Sequence, residues 1–198
     1  MNAYIKKSLY PLALLALLAL TLPAYAETGK ILKTFSVEKG GTLVIESNLG
    51  AIYVDTWDRD EVSVLVRRCA SSKQRVKGFD VQIEQKGNDI YVKGENEENN
   101  RVSVDFRINI PKEYNVDLKT REGLIDLADI KGNVKLLTKD GNIVIGNVKD
   151  GNVDARTSGD SIKVGNVKGG IKVDTSGGTI QLGEITGKSC INESGCNI

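Results

Sequence analysis

Apolar and polar positions follow one repeated pattern over the last third of the chain. The repeats start at Thr120, Thr138, Thr157, Thr175 and Glu193. Within each repeat, apolar residues come in pairs two positions apart, such as Ile125/Leu127 and Val134/Leu136. Residues two apart lie on one face of a β-strand, whereas an amphipathic helix needs spacings of three and four. Each repeat therefore predicts two short strands and no helix.

Copies of this repeat are expected to stack, because one copy cannot fold alone. Burying its few apolar side chains contributes on the order of 10 kcal/mol, whereas ordering its residues costs roughly 1–2 kcal/mol each. The pattern predicts an all-β fold, a parallel β-solenoid with one coil of about 18 residues per repeat. It places Ile125, Ile143, Ile162 and Ile180 in one inward column, and Leu127, Ile145, Val164 and Leu182 in the next.

The threonine at the start of each repeat lies two positions beyond an inward residue, as Thr138 follows Leu136. Its side chain should therefore point inward or into a corner. We expect a structural ladder of hydroxyl groups that bond one another and the backbone. Its members are Thr120, Thr138, Thr157 and Thr175.

Residues 1–26 have the pattern of a secretory signal peptide. Lys6 and Lys7 precede an apolar run, and an Ala-Tyr-Ala motif at 24–26 places the cleavage site between Ala26 and Glu27. The apolar run is shorter than the roughly 20 residues that span a bilayer. The sequence therefore predicts an exported protein, located in the periplasm or outside the cell or on its surface, with no membrane span in the mature chain.

The mature chain, 27–198, is predicted to be a single β-solenoid domain. Residues 40–57 match the repeat and predict a first coil, and the repeat coils occupy 113–198. Between them, 58–112 predicts an inserted antiparallel region with a hairpin, since alternating runs flank a Lys-Gly-Asn-Asp turn at 86–89. The stretch 94–101 predicts a polar loop.

Three stretches together point to a known family. They are GGTLVIESNLGAIYV at 40–54, WDRDEV at 57–62, and the TSGG-type repeats from Thr157 onward. The combination resembles the bacterial putative-adhesin family, a domain-of-unknown-function group of exported β-strand repeat proteins. The resemblance covers most of the mature chain and implies a β-helical fold and an extracytoplasmic location. It brings no catalytic residue with it, and the fold alone does not define a function.

Composition excludes several chemistries. The chain has no histidine, so neither a His-based nucleophile system nor a His-ligated metal site can form. It has 27 Lys and Arg against 26 Asp and Glu, and removal of Lys6 and Lys7 leaves a net charge of −1. That balance argues against nucleic-acid binding. No cofactor, metal or catalytic residue is predicted.

The carboxylates of the repeats have two interpretations. Their neighbours favour surface ion pairing, because the outward column Lys135–Asp154–Lys172 alternates in sign and Arg156 lies beside Asp174. The alternative is a carbohydrate-active lyase or hydrolase on a β-helix. The carboxylates concerned are Asp126, Asp129, Asp140, Asp154, Asp160, Asp174 and Glu184. A further column, Asp129–Asn147–Asn166–Glu184, is typical of turns, with calcium binding as its alternative.

Aromatic and cysteine residues supply the remaining candidates. Tyr53, Trp57 and Tyr91 are interpreted as half-buried strand residues, with a sugar-stacking platform as the alternative. In an oxidising compartment, Cys190 and Cys196 are a possible disulfide across one corner, which would leave Cys69 unpaired.

The sequence thus favours an exported, non-enzymatic scaffold or adhesin-like interaction surface in the bacterial envelope. Its partner would be an envelope protein or a glycan. The alternatives are the carbohydrate-active enzyme and an accessory protein of envelope stress or sensing.

Overall fold

A computed structural model describes residues 26–193. Strands form nearly all of its regular structure, which confirms the all-β prediction. The predicted signal peptide lies outside these residues except for Ala26, and so does Cys196.

The chain contains one short helix and eighteen strands within the described residues. In chain order they are β1 (Glu27–Ser36), β2 (Thr42–Ser47), β3 (Ala51–Trp57), β4 (Glu61–Ala70), α1 (Lys73–Lys77), β5 (Phe79–Lys86), β6 (Asp89–Asn96), β7 (Ser103–Pro111), β8 (Asn115–Glu122), β9 (Ile125–Leu127), β10 (Ile130–Lys131), β11 (Val134–Asp140), β12 (Ile143–Ile145), β13 (Val148–Lys149), β14 (Val153–Thr157), β15 (Ile162–Val164), β16 (Ile171–Thr175), β17 (Ile180–Leu182) and β18 (Ser189–Glu193).

The strands form two large sheets and one narrow one. Sheet A has the order β1-β4-β7-β3-β9-β12-β15-β17, and sheet B has the order β5-β6-β2-β8-β11-β14-β16-β18. Sheet C pairs β10 with β13 and is continued by single bridges at Glu113, Val167 and Ile185. The inner faces of all three sheets contribute to one hydrophobic core.

Successive repeats pair in parallel and in register, as the period of the sequence predicts. Ile143 lies between Ile125 and Ile162 in sheet A, and all three side chains are fully buried. Ile180 continues the column at the last coil, where it is half-buried. The predicted inward column is therefore confirmed, and so is its Leu127 neighbour, which pairs with Ile145.

The one longer repeat, which starts at Thr138, absorbs its extra residue at a corner. Asp150 adopts a left-handed backbone conformation with φ of 53° and forms a bend between β13 and β14. The pairings on either side keep their register, because Ile130 still faces Val148 and Val134 still faces Val153. The extra residue bulges outward and leaves the core columns intact.

The region 58–112 is only partly the antiparallel insertion that the sequence predicts. The hairpin of β5 and β6 is antiparallel, as expected, and β4 is antiparallel to both β1 and β7. However, β6 and β7 also pair in parallel with β2 and β3, so Ile90 faces Leu43 and Phe106 faces Ile52. These two strands form an additional coil on the outer side of the first coil. Alternating sequence identifies the buried face of a strand and leaves its partner and direction open.

The end of the stack next to this coil was not predicted from the sequence. β1 is the outer strand of sheet A and β5 that of sheet B. Side chains bridge the two strands, since Lys33 Nζ donates to the Ile83 carbonyl at 3.2 Å and Gln85 Nε2 donates to the Ser36 carbonyl at 2.8 Å. Helix α1 packs beside them and buries Val76.

The polar loop predicted at 94–101 begins later in the structure. β6 extends to Asn96, and Gly94 is buried between two aromatic rings. A Cβ atom at Gly94 would lie 2.8 Å from side-chain atoms of Phe79 and Phe106. This glycine is therefore part of the core, because a larger side chain would displace the aromatic pair.

Candidate functional site on the outer face of sheet B

An open groove of about 720 Å³ runs across the outer face of sheet B. Because the strands are parallel and in register, side chains at equal positions line up as columns across the sheet. The groove lies between a corner column of asparagines and a column of charged residues. Its lining includes Asn115, Asn133, Asn152, Asp117, Lys135, Asp154, Lys172, Lys188 and Cys190.

Charged side chains in the groove pair differently from the sequence prediction. Lys135 binds Asp117 of the preceding coil at 2.8 Å, and this carboxylate raises the pKa of Lys135. Asp154 accepts two hydrogen bonds from Arg156 of its own strand, at 2.8 and 2.9 Å, and raises the pKa of that arginine. Thus Arg156 pairs within its strand, although the register places it beside Asp174 as predicted.

The end of the groove formed by β16 and β18 is positively charged. The carboxylate of Asp154 forms its ion pair with Arg156 and not with Lys172. Neither Lys172 nor Lys188 forms an ion pair with any residue in 26–193. Both lysines are exposed. The groove therefore changes from paired charges near β8 to unpaired ammonium groups near β18, which suits a ligand with one anionic end.

A ladder of asparagine side chains stiffens the rim of the groove. The Oδ1 atom of Asn115 accepts from the backbone N–H of Asn133 at 2.9 Å, and Asn133 Oδ1 accepts from the N–H of Asn152 at 3.1 Å. Asn152 Oδ1 then accepts from the N–H of Gly170 at 2.9 Å. Sequence reasoning missed this ladder, although an asparagine directly precedes the inward valine of three successive coils.

The threonine column lies inside the stack and away from the groove. The structure buries Thr120, Thr138, Thr157 and Thr175. Each hydroxyl donates to a backbone carbonyl of the preceding coil, as Thr138 does to Gly123 at 3.2 Å and Thr157 does to Gly141 at 3.0 Å. The column is thus a structural element of the corner, and its hydroxyl groups bond the backbone, as expected, but not one another.

The three aromatic residues do not form one platform. Tyr53 lies on the outer face of sheet A under Arg107 at 4.8 Å, and Tyr91 lies on the outer face of sheet B near Lys86 at 5.1 Å. Trp57 lies at a corner, where Arg59 covers its ring at 4.8 Å. All three are half-buried, and each ring already has a cation against it.

The cysteines give no assembled site. Cys69 and Cys190 are exposed at opposite ends of the molecule, in β4 and β18. The possible partner of Cys190 is Cys196, which lies outside the described residues, so the disulfide remains a prediction.

The repeat carboxylates are spread along the surface. No group of three or more His, Cys, Asp or Glu residues within 26–193 could hold a metal ion. Asp129 uses its carboxylate at a corner, where it accepts from the N–H of Asn147 at 2.7 Å and from its side-chain amide at 3.0 Å. These hydrogen bonds lower the pKa of Asp129. Asp129 and Asn147 thus act as turn residues, which is the first of the two interpretations that the sequence offered for this column.

Comparison with known proteins identifies the family. A family model described as Toastrack DUF4097 matches residues 41–196. The chain belongs to the Toastrack DUF4097 family. This confirms the resemblance to a domain-of-unknown-function group. No curated protein matches the sequence.

Solved structures of bacterial proteins resemble this Toastrack chain at low identity. A "putative cell adhesion protein" from Clostridium sporogenes is 11% identical, with 84% of this chain and 98% of that chain covered and a TM-score of 0.42. A "putative adhesin" from Bacteroides fragilis is 13% identical, with 83% and 97% covered and a TM-score of 0.34. A "putative adhesin" from Parabacteroides distasonis is 15% identical, with 83% and 97% covered and a TM-score of 0.32.

Helices of membrane-spanning length are not found in residues 26–193. The single helix, α1, has five residues.

Proposed function

We propose that this Toastrack chain is a non-enzymatic interaction scaffold of the bacterial envelope that binds an extended partner along the outer face of sheet B. The observation that carries the proposal is the groove of about 720 Å³, with its asparagine rim and its unpaired Lys172 and Lys188. A groove that crosses several in-register strands offers one row of side chains per coil along its length, which suits a polymer or an extended segment.

The architecture behind this surface is a parallel β-solenoid, and residues 27–198 form one such domain. In-register parallel pairing from β6 through β18 supports it, as does the single hydrophobic core. The partner is an envelope protein or a glycan, in line with the adhesin-like scaffold that the sequence favours.

Export through a cleaved signal peptide completes the proposal. It is supported by the Ala-Tyr-Ala motif and by the fact that β1 begins at Glu27, directly after the cleavage site. N-terminal sequencing of the protein recovered from envelope fractions would test this. A start at Glu27 is expected, and a start at Met1 would contradict export.

Binding through the groove can be tested with charge-reversal variants. Residues 27–198 would be immobilised and probed with a glycan array and with solubilised envelope proteins. Lys172→Glu/Lys188→Glu should weaken binding at least about tenfold, because each lost ion pair and its repulsive replacement cost a substantial part of a kcal/mol. Lys163→Glu is the matched control, since this exposed lysine lies on the outer face of sheet A.

Turnover would contradict the non-enzymatic assignment. If the protein cleaved a polysaccharide, and Asp154→Asn or Asp129→Asn abolished the cleavage, the carbohydrate-active alternative would be correct. Equal binding by wild type and the Lys172/Lys188 variant would remove the groove as the interaction surface.

A further inference from the structure

Sheet C presents a column of lysines that the sheet B groove does not use. Its inner residues, Ile130, Val148 and Val167, are buried in the core. The residue after each of them points outward, which gives the lysine column: Lys131, Lys149 and Lys168. Register pairs Lys131 with Lys149, and the bridge from Val148 to Val167 places Lys168 next.

This arrangement differs from the charge pattern on sheet B. There, parallel pairing places Lys135 beside Asp117 and Asp154, so neighbouring coils carry opposite charges. On sheet C, three consecutive coils carry the same charge at the strand spacing of about 4.8 Å. Like charges directly opposite each other destabilise a sheet. The lysine column therefore leaves like charges side by side, where sheet B alternates them, and an anion from outside would relieve their repulsion.

The protein itself shows how an anion fits at the start of the column. Glu113 occupies the position one coil before Lys131. Its Oε2 atom lies 3.4 Å from Lys131 Nζ, and its Oε1 atom lies 3.2 Å from Lys39 Nζ. These two lysines lower the pKa of Glu113. Asp150 Oδ2 also lies 3.9 Å from Lys131 Nζ.

Further along the column this internal compensation weakens. Neither Lys149 nor Lys168 forms a direct ion pair with any residue of the described chain, and both are exposed. Lys149 acts only at longer range on Asp129, where its charge helps to lower the pKa of that carboxyl. The position after Lys168 is Thr186, whose hydroxyl donates to the Val167 carbonyl at 3.4 Å. The column thus begins with a lysine that contacts two carboxylates, those of Glu113 and Asp150, followed by two lysines whose ammonium groups contact none.

We propose that the lysine column binds a linear acidic polysaccharide with a carboxylate on each sugar, lying along the stack and continuing the position of Glu113. Its carboxylates would take up the role that Glu113 performs for Lys131. The site lies on a different face from the groove on sheet B, and its test does not depend on the groove.

Neighbouring features favour a polysaccharide over other polyanions. The outward side of sheet C carries no exposed large apolar side chain that would insert into a bilayer, since the exposed ones in 26–193 are Leu32, Leu137 and Ile191 on other strands. No aromatic side chain belongs to the column itself, so stacked nucleic-acid bases have no platform there.

The test measures binding of linear oligogalacturonate to residues 27–198 by calorimetry at low and high salt. Wild type should bind at low salt, and Lys149→Gln/Lys168→Gln should bind roughly tenfold more weakly, with a shallower salt dependence. Lys163→Gln is the matched control, because it removes an exposed lysine from the same coil as Lys168 but on sheet A. It should bind like wild type.

Stability measurements add a second readout. Removing two like charges should leave the Tm of Lys149→Gln/Lys168→Gln unchanged or slightly raised, so weaker binding would not reflect unfolding. Four results would overturn the proposal: no binding of oligogalacturonate, equal binding of a neutral galactan, equal weakening by Lys163→Gln, or binding of only polyphosphate or anionic vesicles. Loss of binding in the Lys172/Lys188 variant alone would locate the ligand in the groove and would also overturn it.

Discussion

The two halves of the molecule build the same stack by different routes. From β8 to β18, each coil pairs with the coil that follows it directly in sequence, as Ile143 pairs with Ile162. In residues 27–112, the coil of β6 and β7 lies outside the coil of β2 and β3, and Leu43 pairs with Ile90 and Val116 on its two sides. The inward columns nevertheless run through both halves without a break, as in Phe106–Ile52–Ile125.

This difference shows that column packing and chain order are separate properties of the fold. A parallel neighbour requires the chain to return to the same end of the sheet before it pairs again. In the repeats, sheet C and its corners make this return. In the first half, β4, α1 and β5 make it on the outside of the stack, where β4 and β5 each pair antiparallel with a neighbouring strand. The same strands also cover one end of the core.

The largest effect is expected from a substitution at Phe106, which tests whether the coil of β6 and β7 belongs to one cooperative core with the repeats. Phe106 is fully buried and packs edge-on against Phe79 with ring centroids 6.2 Å apart. Phe106→Ala should reduce the free energy of unfolding by about 3–5 kcal/mol, measured by urea denaturation. Hydrogen exchange should then speed up at Ile143 as well as at Ile52. Loss of protection confined to residues 27–112 would show that the two halves unfold separately.

A smaller effect is expected at a glycine corner within the repeats. Gly132 has φ of 145°, and a Cβ atom at Gly151 would lie 1.9 Å from the Gly132 carbonyl oxygen. Gly151→Ala should therefore force neighbouring coils apart and cost roughly 2–3 kcal/mol. Gly159→Ala is the matched control, because its Cβ would make ordinary contact at 3.5 Å from Asp140. Equal unfolding midpoints for both variants would contradict this account of the corner.

The junction between the halves should respond to alkaline pH. Tyr114 lies immediately before β8, is fully buried, and donates its hydroxyl to the Asn88 carbonyl. Burial, with the nearby Asp89 carboxylate, raises the pKa of Tyr114 to about 12. A raised folded-state pKa means that its contribution is present below the unfolded value near 10 and is lost between about pH 10 and 12.

Tyr114→Phe should separate this titration from that of other groups. At pH 7 the variant should be about 1–2 kcal/mol less stable, because the Asn88 carbonyl loses its donor. Its unfolding free energy should fall less steeply than that of wild type from pH 10 to 12. Tyr53→Phe, on the half-buried outer face of sheet A, should follow the wild-type curve. A Tyr114→Phe curve parallel to wild type would refute the assignment.

The smallest effect concerns a corner within the repeats at acid pH. Hydrogen bonds from Asn147 lower the pKa of Asp129, so this carboxylate stabilises the folded state above its unfolded pKa. The contribution disappears as pH falls through the lowered folded value. Asp129→Asn should lower Tm by about 1–2 °C at pH 7 and by less at acid pH, since exposed groups contribute little. Asp126→Asn is the control, and an equal loss there would argue against the corner hydrogen bonds.

For the repeats, the sequence was sufficient to predict both the strands and their register. Apolar pairs such as Ile125 and Leu127, which recur once in every repeat, left one way to align neighbouring copies, since a slip by one position would expose every buried side chain. The same periodicity identified the inward threonines. It also contained the asparagine rim and the lysine column, which became visible only when the coils were stacked.

Only the tertiary structure decided the order of the coils and which side chains pair on the surface. The alternating residues around Phe106 and Ile90 fit parallel and antiparallel pairing equally well, because alternation fixes a face and leaves the partner open. Local charge order likewise could not show that Asp154 pairs with Arg156 in its own strand, or that Lys149 forms no ion pair within the described chain. Side-chain reach across stacked coils determines those pairs, and it depends on distances between residues that are far apart in the chain.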